Sequence, residues 1–234
     1  MPEHTEAAAL VTGASSGIGL AISKMLIGRG IHVYGIGRNF KETPASPLFT
    51  PIICDMLKTH ELTETIKKLK KEVSFSIVVH NAGVGYFGPH EELNPSKLHE
   101  MTTINLEVPM LITNLLLRDM KAVHGTFIFI SSVTALKSNT HGCAYGATKA
   151  GLTSFAKSLF DEVRKYNVKV VTIHPDMTKS DFYRNANFEA SDDDFASLVP
   201  EDISDVVDAI ISSRNGLVIR EITLTPQYHR IERK

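Results

Sequence analysis

The chain has 234 residues, 43% of them hydrophobic, enough to bury a sizeable core and a better fit to one large domain than to two. A net charge of −1 with both signs interspersed argues against an electrostatic nucleic-acid partner. The opening MPEHTEAAAL carries acids instead of a basic region and an apolar core, and no apolar stretch reaches membrane-spanning length, so a soluble cytoplasmic protein without membrane contact is expected.

Apolar runs of strand length alternate with helical patterns from one end to the other. Strands are expected near 7–11, 31–36, 51–54, 75–79, 125–130, 168–173 and 217–224, and helices near 17–29, 59–71, 95–121, 143–166 and 201–213. This alternation predicts an α/β fold, a doubly wound, mostly seven-stranded parallel sheet with helices on both faces, as a single domain over 1–234. Cys54 and Cys143 fall in a strand and a helix start, make no disulfide framework, and leave Cys54 as a buried free thiol.

The first strand runs into Thr12-Gly13-Ala14-Ser15-Ser16-Gly17-Ile18-Gly19. Glycines there let the backbone turn tightly and come close to a pyrophosphate, and the following helix N-terminus offers free N–H groups and a partial positive charge. Such a turn is also an ordinary strand-to-helix connection; its position on the first strand of an alternating chain favours a dinucleotide. The second strand ends Gly35-Ile36-Gly37-Arg38-Asn39. An acid at that end would hold the ribose diol of NAD. Gly37 stands about there instead, and Arg38 carries a guanidinium able to fork onto the 2′-phosphate of NADP, although it also reads as a solvated surface residue. Ser15 and Ser16 have hydroxyls for the same phosphate or its ribose.

Farther along, the fifth strand ends at Ser131-Ser132, and Tyr145 and Lys149 follow on a helix. Spacing of i, i+4 stacks phenol and ammonium on one face. A free phenol has a pKa near ~10, and lowering it by roughly 2 to 3 units takes roughly 3 to 4 kcal/mol. One ammonium about 4 Å away at an effective dielectric near ~20 offers about that much. Tyr-x-x-x-Lys alone is also common on amphipathic helices. Between 176 and 200 the pattern is irregular and acidic, a solvated loop by composition and, from its position after the sixth strand, the expected lid over a substrate.

In this order, Thr12-Gly13-x-x-x-Gly17-Ile18-Gly19, Asn81-Ala82-Gly83, Asn105, Ser132, Tyr145-x-x-x-Lys149 and Pro175 resemble the short-chain dehydrogenase/reductase family in its compact, single-domain form, over roughly 7–225. The resemblance implies an NADP(H)-dependent oxidoreductase that moves a hydride between nicotinamide and a small-molecule carbonyl or secondary alcohol. It implies that Ser132 holds the substrate oxygen, Tyr145 is the general acid/base, Lys149 binds the nicotinamide ribose, and Asn105 holds a water linking Lys149 to solvent. Cofactor contacts implied are Gly13, Ser15, Ser16, Gly17, Ile18, Gly19, Arg38, Asp55 (to the adenine amino group, or a plain turn aspartate), Asn81, Ala82, Gly83, Tyr145, Lys149, Pro175 and Ser180 (to the carboxamide). No metal is expected, and family likeness alone points to a homodimer or homotetramer built on the helices at 95–121 and 143–166.

Several positions depart from the family pattern. His80 replaces an asparagine before Asn81 and reads as a core residue; Ala135 stands where many relatives have glycine. Asp176 follows Pro175 where relatives have glycine, and is either a turn residue or a carboxylate near the substrate. The chain end lacks an Asp-Gly-Gly tail and looks closer to the hydroxy-acid branch, so a serine-type 3-hydroxy-acid dehydrogenase is one alternative and an idle NADP-binding sensor another.

Overall fold

The computed structural model describes residues 8–41, 43, 45–228 and 230–234, so Ala7 of the first expected strand and the MPEHTEA opening lie outside the described residues. The strands are β1 (Ala8–Thr12), β2 (His32–Gly37), β3 (Phe49–Ile53), β4 (Phe75–His80), β5 (Thr126–Ile130), β6 (Lys169–Pro175), β7 (Phe188–Ala190), β8 (Glu221–Leu224) and β9 (Ile231–Arg233). Among the described residues, seven of them form one sheet in the order β3-β2-β1-β4-β5-β6-β8, with every pairing parallel. The order reverses between β1 and β4, which opens a crevice at their carboxyl ends.

The apolar runs are continuous because both sheet faces are covered. Ala8 and Leu10 of β1 and Phe127 and Phe129 of β5 point to one layer, which holds α2 (Thr59–Glu72), α4 (Val108–Val123) and α5 (Cys143–Val163). Their neighbours Ala9, Val11, Ile128 and Ile130 point to the other layer, with α1 (Gly17–Gly28) and α6 (Pro200–Ile211). Cys54 is a buried free thiol and Cys143 an exposed one. No helix among the described residues is long and apolar enough to cross a membrane.

Three elements differ from the pattern read in the sequence. The helix expected over 95–121 is α3 (Pro95–Thr102), a π-helical turn Thr103–Glu107 and α4 in succession, a change of hydrogen-bond register that apolar spacing does not reveal. The last sheet strand begins at Glu221, because β8 is an edge strand with partners only from Thr172 to Pro175; a single rung, Thr172 N–H to Arg220 C=O at 2.9 Å, precedes it. Most distinctly, the segment 176–200 is tied down. It holds a 3₁₀ turn, Asp181–Asn185, and β7, which pairs antiparallel with β9 at the far end of the chain. Its acidic run is partnered: Lys179 reaches Asp194 at 3.0 Å, Arg230 reaches Asp193 at 3.4 Å, and Glu232 accepts from the Ser191 hydroxyl at 2.6 Å. Strands of three residues carry too little alternation to be seen in sequence.

His80 ends β4 with 2% of its surface exposed. Its ring stacks on Phe129 at 4.7 Å, and its Nε2 lies 3.0 Å from Thr113 Oγ1. Its Nδ1 is buried without a hydrogen-bond partner. Burial pushes its pKa down from 6.5 to about 3. Below pH 6.5 the unfolded chain therefore takes a proton that the folded chain keeps off, and folding loses about 2 kcal/mol at pH 5 from this residue. His80→Asn should remove that share of the acid sensitivity. Urea unfolding of both proteins at pH 8 and pH 5 checks it; an equally steep loss in the variant would assign the sensitivity to other groups.

Candidate functional site

The carboxyl ends of β1, β4, β5 and β6 border one continuous cavity of about 230 Å³. At one end the backbone is held by a side chain that links two strands. The Thr12 hydroxyl accepts from Asn81 N at 3.0 Å and Ala82 N at 3.1 Å, while the Asn81 amide donates to Thr12 O at 3.0 Å and Gly13 O at 3.2 Å. Gly13 has φ +67° and Gly17 φ +51°, backbone that L side chains rarely adopt. A Cβ on Gly19 would collide with the Gly13 carbonyl, so the first turn of α1 can pack against the loop only with a glycine at its third residue. Its N-cap, Ser16, makes no side-chain capping bond, which leaves the first N–H groups of the helix to face the cavity. A trough of this kind, floored by backbone and closed at one end by a helix N-terminus, fits a pyrophosphate.

Gly13, Ser15, Ser16, Gly17, Ile18, Arg38, Asp55, Asn81, Ala82, Gly83, Ser132, Tyr145, Lys149, Pro175 and Ser180 all line this cavity. Gly19 lies behind its wall as the contact that lets the loop close, and Asn105 is fully buried beside it. Arg38 is exposed, at the end of β2. Asp55 lines the cavity and also accepts from Leu57 N at 3.1 Å, as a turn aspartate does. Ser180 caps the 3₁₀ turn, with Phe182 N at 3.4 Å from its hydroxyl.

Tyr145 and Lys149 sit one turn apart on α5, 7% and 3% exposed. Burial raises the phenol well above its ordinary range, and a hydrogen bond with Ser132 opposes the rise. Burial lowers the ammonium to about 8. Lys149 Nζ donates to Ile130 O at 2.8 Å, at the end of β5, and stands 5.9 Å from the Tyr145 ring centroid. Ser131 fixes the same junction from the other side, its hydroxyl donating to Lys149 O at 3.1 Å. Asn105, in the π-helical turn, takes both polar groups of Val84: its Oδ1 accepts from Val84 N at 2.8 Å and its Nδ2 donates to Val84 O at 2.9 Å. The lysine and this amide are neighbours, since a Cβ on Gly83 would lie 3.4 Å from Lys149 Nζ and 3.5 Å from Asn105 Oδ1.

Sequence reasoning passed over several residues here. Glu100 lines the cavity; burial pushes its carboxyl up, but hydrogen bonds from Tyr86 and Lys97, at 2.8 and 3.1 Å, outweigh that and hold it down. Thr178, Asp181, Phe182, Tyr183 and Arg184 border the cavity from the segment after β6. Asp176 lines it too, with its Oδ1 accepting from Met177 N at 2.9 Å, which joins its turn role to a position on the wall. His174, fully buried on β6, lies with Nδ1 3.3 Å from Ser132 O. The segment after β6 reads as a lid in the sequence, and only the aromatic spacing at 182, 183 and 188 could have singled out these rings within it.

Comparison with known proteins gives a consistent result. The family model for short chain dehydrogenase matches residues 7–190. Carbonyl reductase family member 4 of Danio rerio is 32% identical over 195 residues, covering 78% of this chain and 80% of its own. A metagenomic short-chain oxidoreductase solved in complex with NADP is 26% identical with a TM-score of 0.78, over 94% of this chain and 96% of its own. A 4-hydroxyisoleucine dehydrogenase complexed with NADH shares the fold at 19% identity, with a TM-score of 0.83 over 94% of this chain and 98% of its own.

The Thr12 hydroxyl is 2% exposed with its residue and is the acceptor for two backbone N–H groups. Thr12→Val keeps the shape and removes the acceptor. A loss of roughly 2 to 4 kcal/mol in folding stability is expected, from two donors left short of a partner. Urea denaturation measures it, and a loss below about 0.5 kcal/mol would mean that the Asn81 amide alone holds the loop.

Proposed function

Because this chain belongs to the short-chain dehydrogenase family, we propose that it interconverts a carbonyl and a secondary alcohol with NADP(H), using Tyr145 as general acid/base. The observation that carries this reading is the shared wall: Ser132, Tyr145 and Lys149 border the same cavity as the glycine loop of residues 13–18. Bound nicotinamide supplies or accepts the hydride there. The Ser132 hydroxyl, which hydrogen-bonds Tyr145, holds the substrate oxygen at the phenol. Burial keeps that phenol protonated at neutral pH, the form that donates to a carbonyl oxygen during reduction. Lys149, with a pKa of about 8, carries its charge at neutral pH and serves the ribose hydroxyls. Asn105 holds the water through which the proton is replaced.

Preference for NADP(H) rests on Gly37 and Arg38. Gly37 brings no carboxylate to the ribose, and a Cβ there would already lie 3.3 Å from Ser15 Oγ, in a corner shared with the exposed guanidinium. Similar solved structures hold either cofactor, one NADP and one NADH, so these two residues, and not the fold, support the preference. The segment 176–200 acts as the lid. Assembly as a homodimer or homotetramer and residence in the cytoplasm belong to the same reading.

Tyr145→Phe should lower turnover by a hundredfold or more on any carbonyl substrate and leave NADPH affinity within about twofold. NADPH consumption and fluorescence titration read the two quantities, and wild-type turnover in the variant would remove Tyr145 from the reaction. Arg38→Ala should weaken NADPH roughly ten- to a hundredfold, the loss of a guanidinium–phosphate contact of about 1.5 to 3 kcal/mol, and leave NADH unchanged. Equal affinity of the wild type for both cofactors would overturn the preference.

A further inference from the structure

Beside Tyr145 the cavity is lined by two aromatic rings, backed by rings from two further segments. Phe182 and Tyr183 line it directly. Phe182 packs 5.5 Å from the Tyr145 ring and 5.2 Å from Tyr183, edge to face. Phe87, from the loop after β4, stands 5.5 Å from Tyr145, and Phe188 of β7 lies 5.2 Å from Phe87 and 5.5 Å from Tyr183. Gly85 makes the convergence possible, because a Cβ there would come within 2.8 Å of both Phe87 and Phe182. Burial raises the Tyr183 phenol, and the nearby Tyr145 and Asp176 raise it further.

Charge at this end points the same way. The carboxylate of Asp176 lines the wall, and Arg184, at the exposed rim, has its guanidinium donating to Asp181 O at 3.1 Å. Asp181 and Lys149 line the wall as well, so acids and cations are matched at this end and an anionic substrate finds no net positive charge there. Resting on the oxidoreductase reading above, we infer that the substrate is an uncharged carbonyl compound with a planar aromatic group next to the reacting carbon, or the corresponding alcohol. Its ring packs against Phe182 and Tyr183, which places the carbonyl oxygen between the Ser132 and Tyr145 hydroxyls. The carbonyl carbon gains a hydride from NADPH, which is oxidised to NADP⁺, and the carbonyl oxygen takes the Tyr145 proton, which solvent replaces.

Rates with NADPH on acetophenone, cyclohexyl methyl ketone and acetoacetate test this in the wild type, Phe182→Leu and Phe87→Leu. Ring–ring packing adds about two- to tenfold beyond simple burial, and desolvating a carboxylate that gains no net positive partner costs about tenfold or more. The wild type should therefore have a higher kcat/KM for acetophenone than for acetoacetate by at least about tenfold. The ratio of acetophenone to cyclohexyl methyl ketone should fall about two- to tenfold in each leucine variant, and taking that ratio against the wild type cancels the ketones' intrinsic reactivities. Either variant that folds suffices. A preference for acetoacetate, or an unchanged ring ratio, overturns the inference while Tyr145-dependent turnover keeps the oxidoreductase reading. Consumption of no carbonyl, together with no acetophenone contact in ligand-detected NMR of the NADPH complex, overturns both.

Discussion

The site depends on how closely the backbone after β1 can approach the backbone after β4. Gly19 must lack a side chain because the Gly13 carbonyl occupies the space, and Gly13 itself, at φ +67°, would set a Cβ 2.9 Å from Ala82 Cα. The Asn81 amide fills the remaining gap and bonds to two carbonyls of the loop. Loop, helix start and the 81–83 segment thus form one rigid piece at the point where the strand order reverses. That rigidity lets the first N–H groups of α1 stay uncapped by a side chain while the helix remains in place. A less crowded turn would leave room for a side chain and would lose the trough.

Burial then sets the charge state of the catalytic pair proposed here. It pushes the Tyr145 phenol up and the Lys149 ammonium down to about 8, in both cases toward the neutral form. At neutral pH the resulting state is a phenol beside an ammonium, ready to give a proton. The ammonium, with Nζ directed to Ile130 O and 5.9 Å from the ring centroid, does not offset the burial, since the phenol stays raised. Ser132 is the group with the direct bond to the phenol, and His174 and the Thr134 hydroxyl, 3.0 Å from its Oγ, hold that serine. The Tyr145 phenol is accordingly tuned by dryness first and by its partners second.

Legibility in the sequence followed the range of the interactions. Strand and helix order was readable because each apolar run is buried on both sides, as Phe127, Ile128, Phe129 and Ile130 are, and because the crossovers are local. The glycine loop and Tyr145-x-x-x-Lys149 were readable because their chemistry needs fixed spacing. Glu100 was not, since its place on the cavity wall follows from where α3 lands, while its i, i+3 spacing from Lys97 is that of any helix-surface ion pair. The β7–β9 pairing was hidden too, being two three-residue strands more than forty positions apart in a chain with no periodic signal at either end.

The π-helical turn ties these levels together. A regular helix through 103–107 would rotate Asn105 away from Val84, and Val84 would lose the partner for both its N–H and its C=O. The same amide donates to Thr148 Oγ1 at 3.1 Å, and Thr148 in turn donates to Tyr145 O at 2.8 Å. One irregular turn therefore connects the loop after β4 to the helix that carries Tyr145 and Lys149. The cost of the widened turn is offset by three hydrogen bonds made in a dry environment, where each is stronger than in water. Asparagine suits the position because only an amide offers an acceptor and two donors on so short a stem; aspartate would lack the donors and leucine would leave Val84 unpaired.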